Sequence, residues 1–175
     1  MPYVVAALVV TNVLTLLNLL LLFGVIRRLR EQPAHPGLPG PSALPVGTQV
    51  DEFTTADADG RSLRRDDLPE GTVVGFFSPG CAPCEALVPQ FVARAESLPG
   101  GRETVLAVVV GPAGEAEGYV AQLSPVARVV VEEPSSGVLA RAFHVPGYPT
   151  VYQLDGDGRI LISDASVDRL VVPTA

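Results

Sequence analysis

The stretch that decides the fold is Phe76-Phe77-Ser78-Pro79-Gly80-Cys81-Ala82-Pro83-Cys84-Glu85-Ala86-Leu87-Val88-Pro89. Residues 72–77, which lead into it, are apolar and rich in β-branched and aromatic side chains, so they predict a short strand buried on both faces. From residue 81 to residue 98 the apolar side chains recur at helical spacing, which predicts a helix. A strand that passes directly into a helix is the building unit of α/β folds.

The rest of the carboxyl-terminal part continues this alternation of strands and helices. The predicted elements are a hairpin (52–56 and 61–63), one helical turn (63–68), a strand (104–110), a helix (115–123), a strand (127–132), a helix (135–143) and a terminal hairpin (149–154 and 159–163). Ser135 or Ser136 is the expected N-cap of the helix over 135–143. The pattern predicts one α/β domain over residues 46–175.

Cys81 and Cys84 are the two cysteines of the chain. A disulfide between residues this close closes a very short loop and removes little entropy from the unfolded chain, so we interpret the pair as reactive rather than structural. At the start of a helix, Cys81 meets free backbone N–H groups and the positive end of the helix dipole, which stabilise a thiolate. Cys84 follows one turn later on the same face. We therefore predict that Cys81 attacks a substrate sulfur and that Cys84 resolves the mixed disulfide.

Half of a zinc site has the same cysteine spacing, but zinc needs two further ligands. The histidines of the chain are His35, in a proline-rich segment, and His144, which has no ligand-type residue next to it in sequence. We predict no metal site, and we interpret His144 as a surface residue.

The amino-terminal residues 4–26 are uncharged and mostly apolar, and as a helix they would reach about 35 Å at about 1.5 Å per residue. We predict an uncleaved transmembrane anchor here, followed by a basic flank and proline-rich linker over residues 27–45. Arg27, Arg28 and Arg30 follow the span, and such charge usually stays in the cytoplasm. This rule alone places the domain inside the cell.

The domain is acidic. The chain has 19 acidic and 12 basic residues, and Glu31 with three of the arginines lies before residue 46. Residues 46–175 therefore carry a formal charge of about −9, which disfavours attraction to phosphate backbones or anionic lipid headgroups. Nucleic acid is not an expected partner.

Two segments together resemble thioredoxin-like proteins. The opening stretch is similar to their active-site strand and helix, including Pro89, and Phe143-His144-Val145-Pro146-Gly147-Tyr148-Pro149-Thr150 is similar to the segment that carries their cis-proline. The resemblance implies a central mixed sheet flanked by helices, with Cys81, Cys84 and Pro149 as catalytic residues. It also implies substrate contacts at Gly80, Ala82, Pro83 and Tyr148.

The finer resemblance, over residues 46–164, is to the membrane-tethered TlpA/ResA group and to MauD-type proteins. It rests on the amino-terminal span, on Val50-Asp51-Glu52-Phe53-Thr54 with Asp59-Gly60-Arg61-Ser62-Leu63, and on Asp155-Gly156-Asp157-Gly158-Arg159-Ile160. It implies no cofactor beyond the Cys81–Cys84 disulfide, protein thiols or disulfides as substrates, and an upstream redox partner. It also implies an extracytoplasmic domain, against the charge rule. Pro83, which precedes the second cysteine, resembles the residue found at this position in reducing relatives. The resemblance therefore favours a reductant.

The sequence departs from these relatives in three places. Gly80 replaces their tryptophan and is expected to leave Cys81 more open. Leu87 replaces an acidic residue, which removes their proposed proton relay, while Glu85 is expected to point into solvent. The short carboxyl terminus is expected to lack a covering helix and to leave an apolar surface.

Two other functions compete with thiol-disulfide exchange. A peroxiredoxin would need a proline where Val74 stands, although Ser78 occupies the matching hydroxyl position. A membrane-tethered binding module with incidental cysteines would not need to keep both the dithiol and the Pro149 segment of the thioredoxin-like pattern.

Overall fold

The computed structural model describes residue 3, residues 11–20 and residues 43–170. The chain divides into two units, Met1–Pro39 and Gly40–Ala175. In the first unit, residues 11–20 form a helix, α1, in which the Thr15 hydroxyl donates to the Thr11 carbonyl oxygen at 2.8 Å. None of the helices within the described ranges is long and apolar enough to cross a membrane. The predicted span over residues 4–26 lies largely outside the described residues, as do His35 and most of the predicted linker.

The second unit is built on a five-stranded mixed sheet of order β5-β4-β3-β6-β7. Its strands are β3 (Val73–Phe77), β4 (Val105–Val110), β5 (Arg128–Glu132), β6 (Thr150–Leu154) and β7 (Ile160–Asp164). The first three are parallel, whereas β6 and β7 each run antiparallel to their neighbour. The predicted mixed central sheet is confirmed.

Three helices flank this sheet: α2 (Ala82–Glu96), α3 (Ala113–Leu123) and α4 (Val138–Ala142). Alternate residues of β3 enter opposite cores, because successive strand side chains point to opposite faces. Val73 and Phe77 pack with the buried face of α2, while Val74 and Phe76 pack with α4 and the residues before β3. This burial on both faces explains the uninterrupted apolar run of the strand.

The first hairpin consists of β1 (Thr54–Ala56) and β2 (Ser62–Arg64), and a 3-10 turn follows at Arg65–Asp67. The loop between the strands reaches the sheet, where the Ala58 N–H donates to the Val129 carbonyl oxygen at 2.7 Å on β5. At the opposite edge, the Gly47 N–H donates to the Ile160 carbonyl oxygen on β7 at 2.7 Å. Local segments of the chain therefore bind both outer strands.

Helix α4 is shorter than predicted and is not capped by serine. Its N-cap is Gly137, which makes no side-chain capping hydrogen bond. Ser135 and Ser136 are exposed. The buried Glu132 carboxylate accepts hydrogen bonds from the N–H groups of Leu139 at 2.6 Å and Ala140 at 3.0 Å. The free N–H groups of the helix are thus satisfied from the end of β5, so a local cap is not needed.

The segment after β7 covers the core in a way that the sequence did not predict. No helix follows β7 as far as residue 170, but Val167 and Leu170 are buried in the core beneath α2. The Arg94 guanidinium donates to the Leu170 carbonyl oxygen and fixes the segment against α2. These residues cover the core without a helix, so the expectation of an open apolar surface is wrong for this part of the chain.

Candidate functional site

Cys81 and Cys84 form a disulfide at the start of α2, with their Cα atoms 5.2 Å apart. Cys81 is the N-cap of the helix in an extended conformation, and its sulfur accepts a hydrogen bond from the Cys84 N–H at 3.3 Å. An N-cap normally uses a side-chain oxygen to satisfy such an N–H, and here sulfur takes that place. After reduction, the same donor and the helix dipole would stabilise a thiolate on Cys81.

The two cysteines differ in exposure. Cys84 is 0% exposed, whereas Cys81 is half-buried. A partner molecule therefore reaches the sulfur of Cys81 first, which is the asymmetry that attack by Cys81 and resolution by Cys84 require.

The loop before β6 lies against the dithiol. Its Tyr148–Pro149 peptide bond is cis, and the Tyr148 carbonyl oxygen lies 3.6 Å from the Cys81 sulfur. The loop is held at its ends by two hydroxyl groups: Thr150 donates to the Gly147 carbonyl oxygen at 2.7 Å, and Tyr152 donates to the Phe143 carbonyl oxygen at 3.2 Å. The carbonyl group of the residue before the cis-proline thus lies beside the Cys81 sulfur.

The surface around Cys81 is formed by the other predicted contact residues. Gly80, Ala82, Pro83 and Tyr148 are exposed. Gly80 has φ +72°, a conformation that disfavours residues with a Cβ, and an added Cβ would meet no atom within 4 Å. The space beside the Gly80 backbone is therefore open.

Two hydrogen bonds hold the loop that precedes Cys81, and the sequence pattern did not predict either of them. The Ser78 hydroxyl donates to the Val110 carbonyl oxygen at 2.9 Å, and the Tyr119 hydroxyl donates to the Ser78 carbonyl oxygen at 3.4 Å. Burial, and secondly the charge of Glu85, raise the pKa of Tyr119, so its hydroxyl keeps the proton that it donates. Because Ser78 is committed to the backbone, its hydroxyl is not directed at a peroxide pocket.

The surroundings of Cys84 are apolar. Cys84 lies in one buried core cluster with Phe77, Leu87 and Phe91. Among the described residues, the buried carboxylates are those of Asp57 and Glu132. Asp57 accepts backbone N–H groups in the first hairpin, and Glu132 caps α4. Neither is available to take the proton of Cys84.

Two charged residues near the site behave as surface groups. Glu85 is exposed in the first turn of α2, as predicted. His144 is exposed with φ +48°, and its Nε2 lies 2.9 Å from the Asp51 carboxylate rather than at the dithiol.

Solved structures with the same architecture were found. The thioredoxin domain of a thiol-disulfide oxidoreductase from Bacteroides vulgatus is 16% identical, with 73% of this chain and 94% of that chain covered at a TM-score of 0.58. The fold is thioredoxin-like. A thio-disulfide isomerase from Thermus thermophilus is 19% identical, with coverages of 71% and 88% and a TM-score of 0.55. A thiol:disulfide interchange protein of the thioredoxin family from Chlorobium tepidum is 21% identical, with coverages of 71% and 89% and a TM-score of 0.53.

No protein-family model and no curated protein matches the sequence. At these identities, the likeness to thioredoxin-like structures establishes the fold, and the chemistry has to be argued from the dithiol itself.

Proposed function

We propose that the chain is a membrane-anchored thiol-disulfide oxidoreductase that acts as a reductant of protein disulfides. The observation that carries the proposal is the asymmetric dithiol at the start of α2. Cys81 is accessible and accepts the Cys84 N–H, while Cys84 is fully buried beneath it. The solved structures of the same fold that are named for thiol-disulfide chemistry support this choice.

The proposed reaction conserves sulfur bonds and electrons. In the reduced protein, the Cys81 thiolate attacks one sulfur of a substrate disulfide, forming a mixed disulfide and releasing the other substrate sulfur as a thiolate. Cys84 then gives its proton to the substrate thiolate released in the first step and attacks the Cys81 sulfur, so that the second substrate sulfur leaves as a thiolate and the Cys81–Cys84 disulfide forms. Two electrons pass from the protein dithiol to the substrate, and an upstream dithiol protein must return them.

The Tyr148–Pro149 loop is the proposed substrate platform. The Tyr148 carbonyl oxygen is next to the Cys81 sulfur, and Gly80, Ala82 and Pro83 present little side-chain bulk around it. An extended protein segment can therefore approach the sulfur at the backbone level.

The direction of electron flow is proposed from Pro83. Equilibration of the full chain with glutathione buffers, followed by alkylation and mass measurement, gives its reduction potential. A value near the roughly −270 mV of reducing thioredoxins supports a reductant, and a value near the roughly −120 mV of strong oxidases contradicts it.

The proposed anchor is the uncharged segment over residues 4–26, and the proposed location of the domain is outside the cytoplasm. The support is the length of the apolar run and the resemblance to tethered relatives, while Arg27, Arg28 and Arg30 argue for the opposite orientation. A reporter that is active only outside the cytoplasm, fused after Ala175, tests the orientation. Release of the chain from membranes by carbonate washing contradicts the anchor.

The decisive test of exchange is reduction of insulin by the full chain in neutral detergent with a dithiol donor. Turnover that requires Cys81 supports the proposal. If insulin is not reduced and Cys84→Ser traps no mixed disulfide in cells, the chain is a redox-inactive binding module. Rapid consumption of peroxide instead of insulin identifies a peroxidase.

A further inference from the structure

Four short segments lie at the end of the sheet that carries the dithiol: residues 78–86, 111–117, 132–137 and 145–149. The first three follow the carboxyl ends of the parallel strands β3, β4 and β5, and the fourth precedes β6. Direct contacts join them into one surface. The Gly111 N–H donates to the Glu132 carbonyl oxygen at 2.9 Å, an added Cβ on Gly111 would lie 2.8 Å from Pro79, and Tyr148 contacts Cys81.

The charges on this surface all have one sign. The four segments contain five glutamates and no arginine, lysine or histidine; the glutamates are Glu85, Glu115, Glu117, Glu132 and Glu133. Glu132 is buried as the cap of α4, whereas the other four are exposed. We call these four exposed glutamates the acidic rim. No arginine of the described residues forms an ion pair with any of them.

Two basic side chains at this end of the domain are held by other carboxylates, and Arg141 is exposed in the last turn of α4. His144, which precedes the fourth segment, pairs with Asp51. Arg169 pairs with Asp164 at 3.4 Å. The negative field also reaches the rings beside the dithiol: after burial, Glu85 is the next cause that raises the pKa of Tyr119, and Glu132 is the next cause for Tyr148.

The opposite end of the sheet has a different charge pattern. There, acidic and basic residues alternate and pair with one another: Arg102 lies 2.6 Å from Asp59, and Arg61 lies 3.5 Å from Glu103. Part of the acidic charge at the far end is therefore paired with arginine, whereas no such pair forms at the acidic rim within the described part of the chain.

We propose that the acidic rim selects redox partners whose cysteine pair is flanked by arginine or lysine. This inference rests on the proposed function, since it names the class of partner for the same dithiol. Unpaired charge around a reactive group attracts oppositely charged molecules and repels like-charged ones before contact, and it acts mainly on the association rate. A partner with acidic flanks would meet like charges at this end of the sheet.

The test uses two synthetic peptides that share one internal disulfide loop and differ only in four flanking residues, all arginine or all glutamate. The reduced full chain in neutral detergent is mixed with each peptide, and the second-order rate of oxidation of the protein dithiol is measured. We expect the arginine-flanked peptide to react about tenfold faster at low ionic strength. We expect the ratio to fall towards one as salt screens the charges.

Two triple variants separate the rim from the net charge. The rim variant is Glu85→Gln, Glu115→Gln and Glu133→Gln. The control variant removes the same number of charges from exposed positions away from the four segments, as Glu70→Gln, Glu96→Gln and Asp157→Asn. Because the intrinsic reactivity of each peptide is the same with every protein, the ratio of their rates isolates the contribution of the protein.

The inference predicts that the ratio falls at least about threefold in the rim variant and stays near the wild-type value in the control. Equal rates with the two peptides, or equal losses in the two variants, would overturn it while leaving the proposed exchange intact. If neither peptide is reduced and oxidised glutathione also fails to react, the proposed function itself is wrong, and the inference with it.

Discussion

The backbone N–H of Cys84 donates a hydrogen bond to the sulfur of Cys81 at 3.3 Å, so the residue that would resolve the mixed disulfide also supports the residue that would attack. The same N–H also donates to the Cys81 carbonyl oxygen at 2.9 Å in the first turn of α2, so it is shared between that oxygen and the sulfur. In the reduced protein, its dipole would stabilise negative charge on the Cys81 sulfur.

This arrangement predicts unequal thiol reactivity. In the reduced protein, Cys81 should react with iodoacetamide at least about tenfold faster than Cys84, because Cys84 is fully buried and burial disfavours its thiolate. Peptide mapping after timed alkylation measures the two rates. Comparable labelling of the two cysteines would contradict the assignment of roles.

Replacing each cysteine should separate the two steps. Cys81→Ser should abolish exchange, whereas Cys84→Ser should still attack and then accumulate as a covalent complex with its substrate. Non-reducing gel electrophoresis followed by mass spectrometry detects and identifies the complex. The double variant, which can form no mixed disulfide, is the control for non-specific association.

Substitution of Gly80 should cost stability through the backbone alone. Gly80→Ala places a Cβ in open space but keeps φ at +72°, so we expect a loss of about 1 kcal/mol in the free energy of unfolding. Gly118→Ala is a matched control within α3, also in open space, and should stabilise by roughly 1 kcal/mol because alanine favours helix. Urea unfolding measures the two changes. Losses of equal size would show that the left-handed conformation of Gly80 is not the cause.

Removal of the buried cap should destabilise the domain. Glu132→Ala leaves the N–H groups of Leu139 and Ala140 without their acceptor, and we expect a loss of about 1–3 kcal/mol. Glu133→Ala changes the neighbouring exposed glutamate and should alter the free energy of unfolding by less than about 0.5 kcal/mol. A loss for Glu132→Ala no larger than that for Glu133→Ala would contradict the capping role.

The Tyr152 hydroxyl gives a prediction at alkaline pH. Burial raises the pKa of Tyr152 to about 12, against a weaker opposing effect of a hydrogen bond with Ser163. The unfolded chain releases this proton near the ordinary value of 10.0, so between pH 10 and about 12 the folded state holds more protons than the unfolded state. The contribution to stability is complete below pH 10 and should be lost as the pH rises.

Tyr152→Phe isolates that contribution. The variant lacks the hydrogen bond to the Phe143 carbonyl oxygen, so its free energy of unfolding should be about 1 kcal/mol lower at neutral pH. Above pH 10, its free energy of unfolding should fall less steeply than that of the wild type. Unfolding experiments in urea across this pH range measure the slope. An unchanged slope would show that Tyr152 does not titrate as the buried environment requires.

The sequence was sufficient to predict the features that depend on residues close together in the chain. The strands of the sheet follow from continuous apolar runs, and the dithiol geometry follows from a three-residue spacing at a helix start. Sequence spacing did not reveal the contacts that fix the site, because their partners are distant along the chain. Tyr119 binds Ser78 across 41 residues, and His144 pairs with Asp51 across 93 residues. The serine cap of α4 was wrong for the same reason, since a carboxylate from the preceding strand takes its place.

The hydrogen bonds of Ala58 to β5 and of Gly47 to β7 bear on self-association. An outer strand with free N–H and carbonyl groups is a template on which a second copy can add its own strand, and repeated addition leads to aggregates. Here the loop of the first hairpin binds the edge strand β5 at Val129, and the segment before the first hairpin binds the edge strand β7 at Ile160. At these two positions, a second copy of the chain therefore finds backbone groups that are already bound, which disfavours strand addition there.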